Sequence, residues 1–401
     1  MSADPGPSAA GVTIPGYSIR ARLGHFDRQV VYRALRGADG VEVLLKTLRA
    51  HHPRARDVAE LRREHRILTS LRVDGVLRSG ELLSFGTGNL ALEMESFGTS
   101  LVDILRERGR SPLPFPGFFD IAESLAGAIE GIHRAEVIHK ELSPHNILVD
   151  PESGTTRIFD FGSASLLSRE RLDSAVSPLR MTSLPYISPE RTGRMTRPVD
   201  YRTDYYSFGA ILFELLTGEV PFDAKDSLEW VHRHISHPVP LAHDVNPAVP
   251  VGVADVVAKL MAKDAEDRYQ SVAGILADLE RCRTEHAETG LVPSFVLATR
   301  DIPRSFQVPA RLYGREEEVA RLIDLFDDVA HGGTGFCVVR GRSGVGKSAL
   351  VDELADAVVR RGGYLVRGKF DQLRQSTPYS ALAGAIRGLV EQMIGEPEAR
   401  V

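Results

Sequence analysis

The sequence predicts an α+β chain in two lobes, a small β-rich one and a larger helical one, followed by part of an α/β domain. Three observations carry this. Short β-like runs with one helical pattern among them fill residues 17 to 95. Apolar residues recur at 3 and 4 spacing through most of residues 100 to 283. A strand, glycine loop and helix then follow one another from Phe336 onward, the order of an α/β domain.

Residues 1–16 are rich in Pro, Gly, Ala and Ser and read as a disordered tail. YSIRARLG, VVYRALR and VEVLLKTL read as strands. DVAELRREHRILTSL sets Val58, Leu61, Leu68 and Leu71 at helical spacing, and GELLSFG and LALEMES supply a second strand group. FFDIAESLAGAIEGIHRA, SFGAILFELLTG, VADVVAKLMAK and SVAGILADLERC build the helical lobe. Residues 283–310, with their TG, VP and IP pairs, read as an extended linker. Beyond them EEEVARLIDLFDDVA is an amphipathic helix, FCVVR a buried strand and SALVDELADAVVRR a helix, so residues 311–401 are expected to form the N-terminal part of a domain that is cut short.

Of the 401 residues 43% are hydrophobic and 26% charged, the balance of a soluble globular chain with room for two or three domains. A net charge of -5 gives no global pull toward nucleic acid, and no nucleic-acid partner is expected. Two cysteines, Cys282 and Cys337, are too few for a disulfide framework or a metal cluster. With no secretory signal pattern and no apolar run of about 18 residues, the reading is cytoplasmic, without a membrane span.

Phosphoryl transfer requires a lysine on the nucleotide phosphates, an acid that orients it, metal ligands, and a carboxylate that positions the attacking hydroxyl. Each has a candidate, in order. Lys46 ends VEVLLK, and Glu64 lies between Leu61 and Leu68 on the core side of the next helix. In VIHKELSPHNILVD, Glu141 offers the carboxylate and Asn146 an amide that can reach a metal. IFDFG supplies Asp160, the main Mg²⁺ ligand of the set.

With these motifs the chain resembles the protein-kinase superfamily over about residues 17–282, which implies a bilobal protein-kinase fold. YISPERTG is similar to the end of an activation segment, and Asp204 in DYRTDYYSFG to the buried aspartate that steadies the catalytic loop. Met94 and Glu95 match the gatekeeper and first hinge position, whose backbone would bind adenine. Small-molecule phosphotransferases share the His, acid, Asn spacing, but the SPE segment, the Asp204 helix and Arg268 favour the protein kinases.

The departures matter as much. The glycine-rich loop runs from Gly24 to Val31 as GHFDRQVV, so Phe26 and Gln29 replace its second and third glycines. Leu44 stands where the family has a smaller alanine, which implies a tighter nucleotide pocket. Glu141 replaces the catalytic aspartate, and Ser143 the lysine two positions on. One extra methylene moves the carboxylate by on the order of 1 Å, and the lost lysine removes a positive charge near the transferred group.

GRSGVGKS, residues 341 to 348, is a P-loop in its required context. Gly341, Gly344 and Gly346 shape the anion nest, Lys347 reaches the β- and γ-phosphates, and Ser348 binds Mg²⁺. LYGREEEVARL, GKFDQ and PYSAL resemble the AAA/STAND-type ATPase module of large bacterial signalling proteins, in which a serine/threonine kinase domain precedes the ATPase and GAF and histidine-kinase domains often follow. The resemblance implies downstream signalling domains or a histidine kinase as partners. The sequence therefore reads as a serine/threonine protein kinase of bacterial signal transduction using ATP and Mg²⁺, its protein substrate unspecified. The alternatives are an ATP-binding pseudokinase scaffold that regulates the attached ATPase module and, third, a small-molecule kinase.

Overall fold

The computed structural model describes residues 12–26, 29–49, 53–86, 88–166, 181–194, 197–303, 314–342, 345–361, 363–368 and 379–394. Packing divides the chain into two units, residues 1–187, 199–221 and 239–304 in one, and residues 188–198, 222–238 and 305–401 in the other.

The first unit opens with a five-stranded antiparallel sheet in the order β1-β2-β3-β5-β4. Its strands are β1 (Tyr17–Phe26), β2 (Gln29–Arg36), β3 (Glu42–Leu48), β4 (Ser79–Phe85) and β5 (Asn89–Glu95), with helix α1 (Ala55–Ser70) between β3 and β4. Register decides which side chains share a face, because directly opposed residues of antiparallel strands point the same way. Val31 opposes both Gly24 and Lys46, and Lys46 opposes Leu92, so these four form one row across the sheet. The other face carries Ala34, Val43, Leu45 and Ala91, and Ile14 packs on them.

That contact corrects the expectation of a disordered tail through residue 16. Ile14 is 2% exposed, its carbonyl accepts from Tyr17 N–H at 3.1 Å, and Gly16 O accepts from Gly37 N–H at 2.7 Å. One apolar side chain on an open sheet face is worth about 1.5–3 kcal/mol, enough to order a short segment against its entropy. On α1, Leu61, Glu64 and Leu68 are buried along one stripe.

The helical lobe follows with β6 (Thr99–Ser100), α2 (Leu101–Glu107), α3 (Phe115–Arg134), β7 (Val137–Ile138), β8 (Ile147–Val149), β9 (Thr156–Ile158) and β10 (Ser165–Leu166). Then come α4 (Arg202–Thr217), α5 (Ser227–Ser236), α6 (Ala242–Val245), α7 (Val251–Leu260) and α8 (Val272–Thr289), with α5 falling in the second unit. Every residue of α4 except Glu214 is buried, as expected of a helix at the centre of a lobe. It stops at Gly218, whose φ is 79° and where a Cβ would lie 1.8 Å from the Arg110 carbonyl oxygen. The short pairs β7–β10 and β8–β9 hold the two loops that carry Glu141 and Asp160.

The expected linker from 283 to 310 is also corrected. With no Gly or Pro after Gly274 to break it, α8 runs on to Thr289 and ends at Gly290, φ 71°. The extended segment after it is fastened to the lobe. Gly252 N–H donates to Val292 O at 2.9 Å, Ala298 N–H to Asp278 Oδ2 at 2.8 Å, and Asp301 accepts from Gln270 N–H at 2.6 Å and Ser271 Oγ at 2.7 Å.

In the second unit, α5 is capped by Asp226, whose carboxylate accepts from Glu229 N–H at 2.8 Å. Further on are α9 (Glu316–Ala330), α10 (Lys347–Asp352), α11 (Leu354–Arg360) and α12 (Ser380–Ile394). The amphipathic helix expected at EEEVARLIDLFDDVA is α9, and the helix expected at SALVDELADAVVRR is α10 plus α11. The buried strand expected at FCVVR is not formed: Phe336 is 89% and Val338 56% exposed, and no strand occurs among the described residues from 314 to 394. A strand needs neighbours for its N–H and C=O groups, and none of those residues supplies a ladder. No helix of the described residues is long and apolar enough to cross a membrane.

Candidate active site

Lys46 projects from β3 on the face that looks toward α1. Its ammonium lies 2.7 and 2.6 Å from Glu64 Oε1 and Oε2, and 2.7 Å from Asp160 Oδ1. Lys46 and Glu64 are 0% exposed and Asp160 2%, so one buried cation meets two carboxylates in a low-dielectric setting. The arrangement is fastened from both sides. Arg63, beside Glu64, donates to the Gly162 carbonyl, and the loop after α1 is stitched to β9 by Ile158 N–H to Gly75 O at 2.9 Å and Leu77 N–H to Ile158 O at 3.0 Å.

Two residues here hold left-handed backbones, Lys140 with φ 71° and Asp160 with φ 66°. Such strain persists only where surroundings over-determine it. Asp204 does this for Lys140: its Oδ1 accepts from Lys140 N–H at 2.7 Å, its Oδ2 from His139 N–H at 2.9 Å, and the same Oδ2 lies 2.8 Å from His133 Nε2. Burial would raise the Asp204 carboxyl, but the hydrogen bonds from His133 and His139 outweigh it and hold it below the usual carboxylate range.

The His139 ring joins the two loops. Glu141 N–H approaches its Nδ1 at 3.3 Å, so Nδ1 accepts and Nε2 carries the proton that goes to Phe159 O at 3.1 Å. Burial depresses its pKa below the ordinary 6.5, in keeping with a neutral ring. Phe161 packs edge-on against it at 4.7 Å between centroids.

Glu141 is 4% exposed at the start of this loop, and its carbonyl accepts from Asn146 Nδ2. Asn146 Oδ1 accepts from Ser143 N–H at 3.0 Å, and Asn146 O accepts from Phe159 N–H at 3.0 Å, which ties its main chain to the residue before Asp160. These residues fit Mg²⁺. Asp160 and Asn146 are hard oxygen donors, and a carbonyl oxygen that accepts one hydrogen bond retains a second lone pair. No group of three or more His, Cys, Asp or Glu is set to hold a metal among the described residues.

On the nucleotide side, Gly24 and Val31 stand in the same row as Lys46. Leu44 opposes Met94 on the same face as Lys46, and both are fully buried. Glu95 gives its N–H to Arg78 O at 3.0 Å and its carboxylate takes Arg78 N–H at 2.8 Å, so an adenine contact from this residue would use its carbonyl. At the P-loop, Gly346, φ 90°, precedes α10, in which Lys347 and Ser348 are the first two residues. Lys347 Nζ folds back onto Gly341 O at 3.0 Å and Arg342 O at 2.8 Å. Gly344 lies outside the described residues. Sequence reasoning missed His133, since its partner Asp204 lies 71 positions downstream and a histidine closing a helix carries no spacing signal.

Residues 17–278 match the Protein kinase domain family and residues 311–401 the AAA ATPase domain family. The chain is 34% identical over 229 residues to the hybrid signal transduction histidine kinase G of Dictyostelium discoideum, covering 52% of this chain and 7% of that protein. It is 32% identical to the DNA damage-responsive serine/threonine-protein kinase RqkA of Deinococcus radiodurans, covering 67% and 40%, and 34% identical to the serine/threonine-protein kinase PrkC of Bacillus subtilis, covering 46% and 27%. The chain thus spans less than half the length of these curated relatives. It belongs to the protein kinase family, with bacterial serine/threonine kinases among its relatives and an AAA ATPase domain after its kinase domain.

Proposed function

We propose that the chain is a serine/threonine protein kinase that transfers the γ-phosphate of ATP to protein hydroxyls in bacterial signal transduction, with a second ATP-binding module at its P-loop. The observation that carries this reading is the closed contact of Lys46 with Glu64 and Asp160 at 2.6 to 2.7 Å. A lysine fixed in this way meets the phosphates without first having to be ordered, which is where positioning lowers the barrier.

In this reading Asp160 and Asn146 hold Mg²⁺, which when bound neutralises charge on the phosphates. Lys46 holds the α/β-phosphates, and Val31 and the Glu95 carbonyl meet the adenine. Glu141 accepts a hydrogen bond from the substrate hydroxyl and turns its oxygen toward the γ-phosphorus. Asp204 acts through the loop, holding the strained Lys140 backbone so that Glu141 is presented to the cleft.

A second reading, the ATP-binding pseudokinase scaffold, is favoured by Glu141 and Ser143 standing where the family has aspartate and lysine. The test is Mg²⁺-dependent transfer of labelled γ-phosphate by the full chain onto itself and a generic basic protein, with Asp160→Ala as control. Transfer abolished in the control supports the kinase. Binding of Mg-ATP with no transfer would replace it with the scaffold.

A further inference from the structure

Gln29 occupies the third glycine position of the loop, where the family keeps the space over the phosphates clear of side chains. Its register fixes where the amide goes. Gln29 opposes Leu48 on β3 and lies two residues from Val31, which opposes Lys46, so Gln29 and Lys46 share one face of the sheet. Two residues of strand put it roughly 6–7 Å beyond the Lys46 row, toward the end where β2 is joined to β1. It is 4% exposed, and its side-chain Oε1 has no hydrogen-bond partner among the described residues. A buried amide left incomplete between Val31 and Leu48 calls for a partner that enters from outside.

We propose that Gln29 is a phosphate-recognition residue of the kinase site, its amide replacing the backbone approach that the missing glycine would have allowed. The inference rests on the nucleotide-binding reading above. An amide offers both halves of what a Mg-nucleotide lacks at this position: Nε2 donates to a phosphate oxygen, and Oε1 accepts from a water that enters with it. Glycine would bring the loop backbone close. Glutamine offers a side-chain amide in its place.

The experiment titrates the 401-residue chain with ATP and, separately, with adenosine, all arms carrying Lys347→Ala so that the P-loop is silent. Binding to the kinase site is defined as the signal lost on adding Lys46→Ala. Gln29→Glu is nearly isosteric and sets a negative charge where phosphate is expected. Gln29→Ala removes the amide. Both are expected to weaken ATP by about 10- to 100-fold, the range for a hydrogen bond to a charged group, with adenosine affinity unchanged. Thermal unfolding identifies a variant that has lost its fold, and Gln29→Asn, expected to retain part of the affinity, then decides. ATP affinity that is equal or tighter in Gln29→Ala and Gln29→Glu would overturn the role of Gln29 and make it a space-filling residue. Absence of Lys46-dependent ATP binding in the parent would overturn the nucleotide-binding reading itself, and this inference with it.

Discussion

His139 has no room for a second proton, since Nδ1 already faces the Glu141 N–H and Nε2 the Phe159 carbonyl. Because burial lowers its folded pKa below 6.5, the unfolded chain binds more protons than the folded one at pH values between the two. The stability it contributes is therefore complete above 6.5 and is lost as pH falls toward the folded value. Asp204 acts lower on the scale: its depressed carboxyl contributes stability above its ordinary 3.8, lost as pH falls through the folded value. Acid sensitivity should begin with the histidine. Denaturant midpoints measured from about pH 7.5 to about pH 5 are expected to fall in the parent and to run flatter in His139→Gln. Parallel curves would mean that His139 does not carry the proton linkage. Glu141 allows a second test at this scale. If the extra methylene displaces its carboxylate by on the order of 1 Å, Glu141→Asp should raise kcat about 10- to 100-fold with little change in KM for ATP, and Glu141→Gln should abolish transfer. A loss of rate in Glu141→Asp would show that the loop is built around the longer acid.

Among elements, the coupling of β3, α1 and the Asp160 loop was legible as a spacing pattern because a strand that ends in lysine and a helix with an inward glutamate follow from periodicity. The strap from 291 to 303 was not legible, since its order depends on acceptors elsewhere: Val292 serves Gly252, and Asp301 serves Gln270 and Ser271. Proline and valine pairs signal an extended chain and are silent on what it lies against. Gly274 shows how closely it lies, for a Cβ there would meet Asp301 Cβ at 2.6 Å. Asp301→Ala removes two acceptors from the start of α8, one of them for a main-chain N–H, and should lower stability by about 1–3 kcal/mol as a shift in denaturant midpoint. An unchanged midpoint would mean that the contacts of Val292 and Ala298 hold the strap without Asp301. FCVVR failed in the opposite sense. Its composition is that of a buried strand, but composition cannot supply neighbours, and Phe336 at 89% exposure marks the difference.

At the scale of the whole molecule, the proposed function gives one chain two phosphate-binding arrangements of different design. The kinase site is already organised, with Lys46 buried between carboxylates. The described part of the P-loop is partly exposed, and its Lys347 ammonium rests on the Gly341 and Arg342 carbonyls that an arriving phosphate must displace. A loop whose preceding segment pairs with no strand among the described residues must be ordered on binding, and that entropy is subtracted from affinity. Calorimetric titration with Mg-ATP should therefore show two unequal steps. Lys46→Ala should remove the tighter one, Lys347→Ala the weaker one, and the double variant both. Should the Lys347→Ala isotherm match that of the parent, residues 311–401 would have no nucleotide site as they stand in this chain, and regulation by ATP would have to act through the kinase cleft. Should the steps instead be tight and equal, the P-loop would have to gain its order from contacts formed only with nucleotide bound, and the exposed Phe336 and Val338 would be the side chains to follow as they become buried.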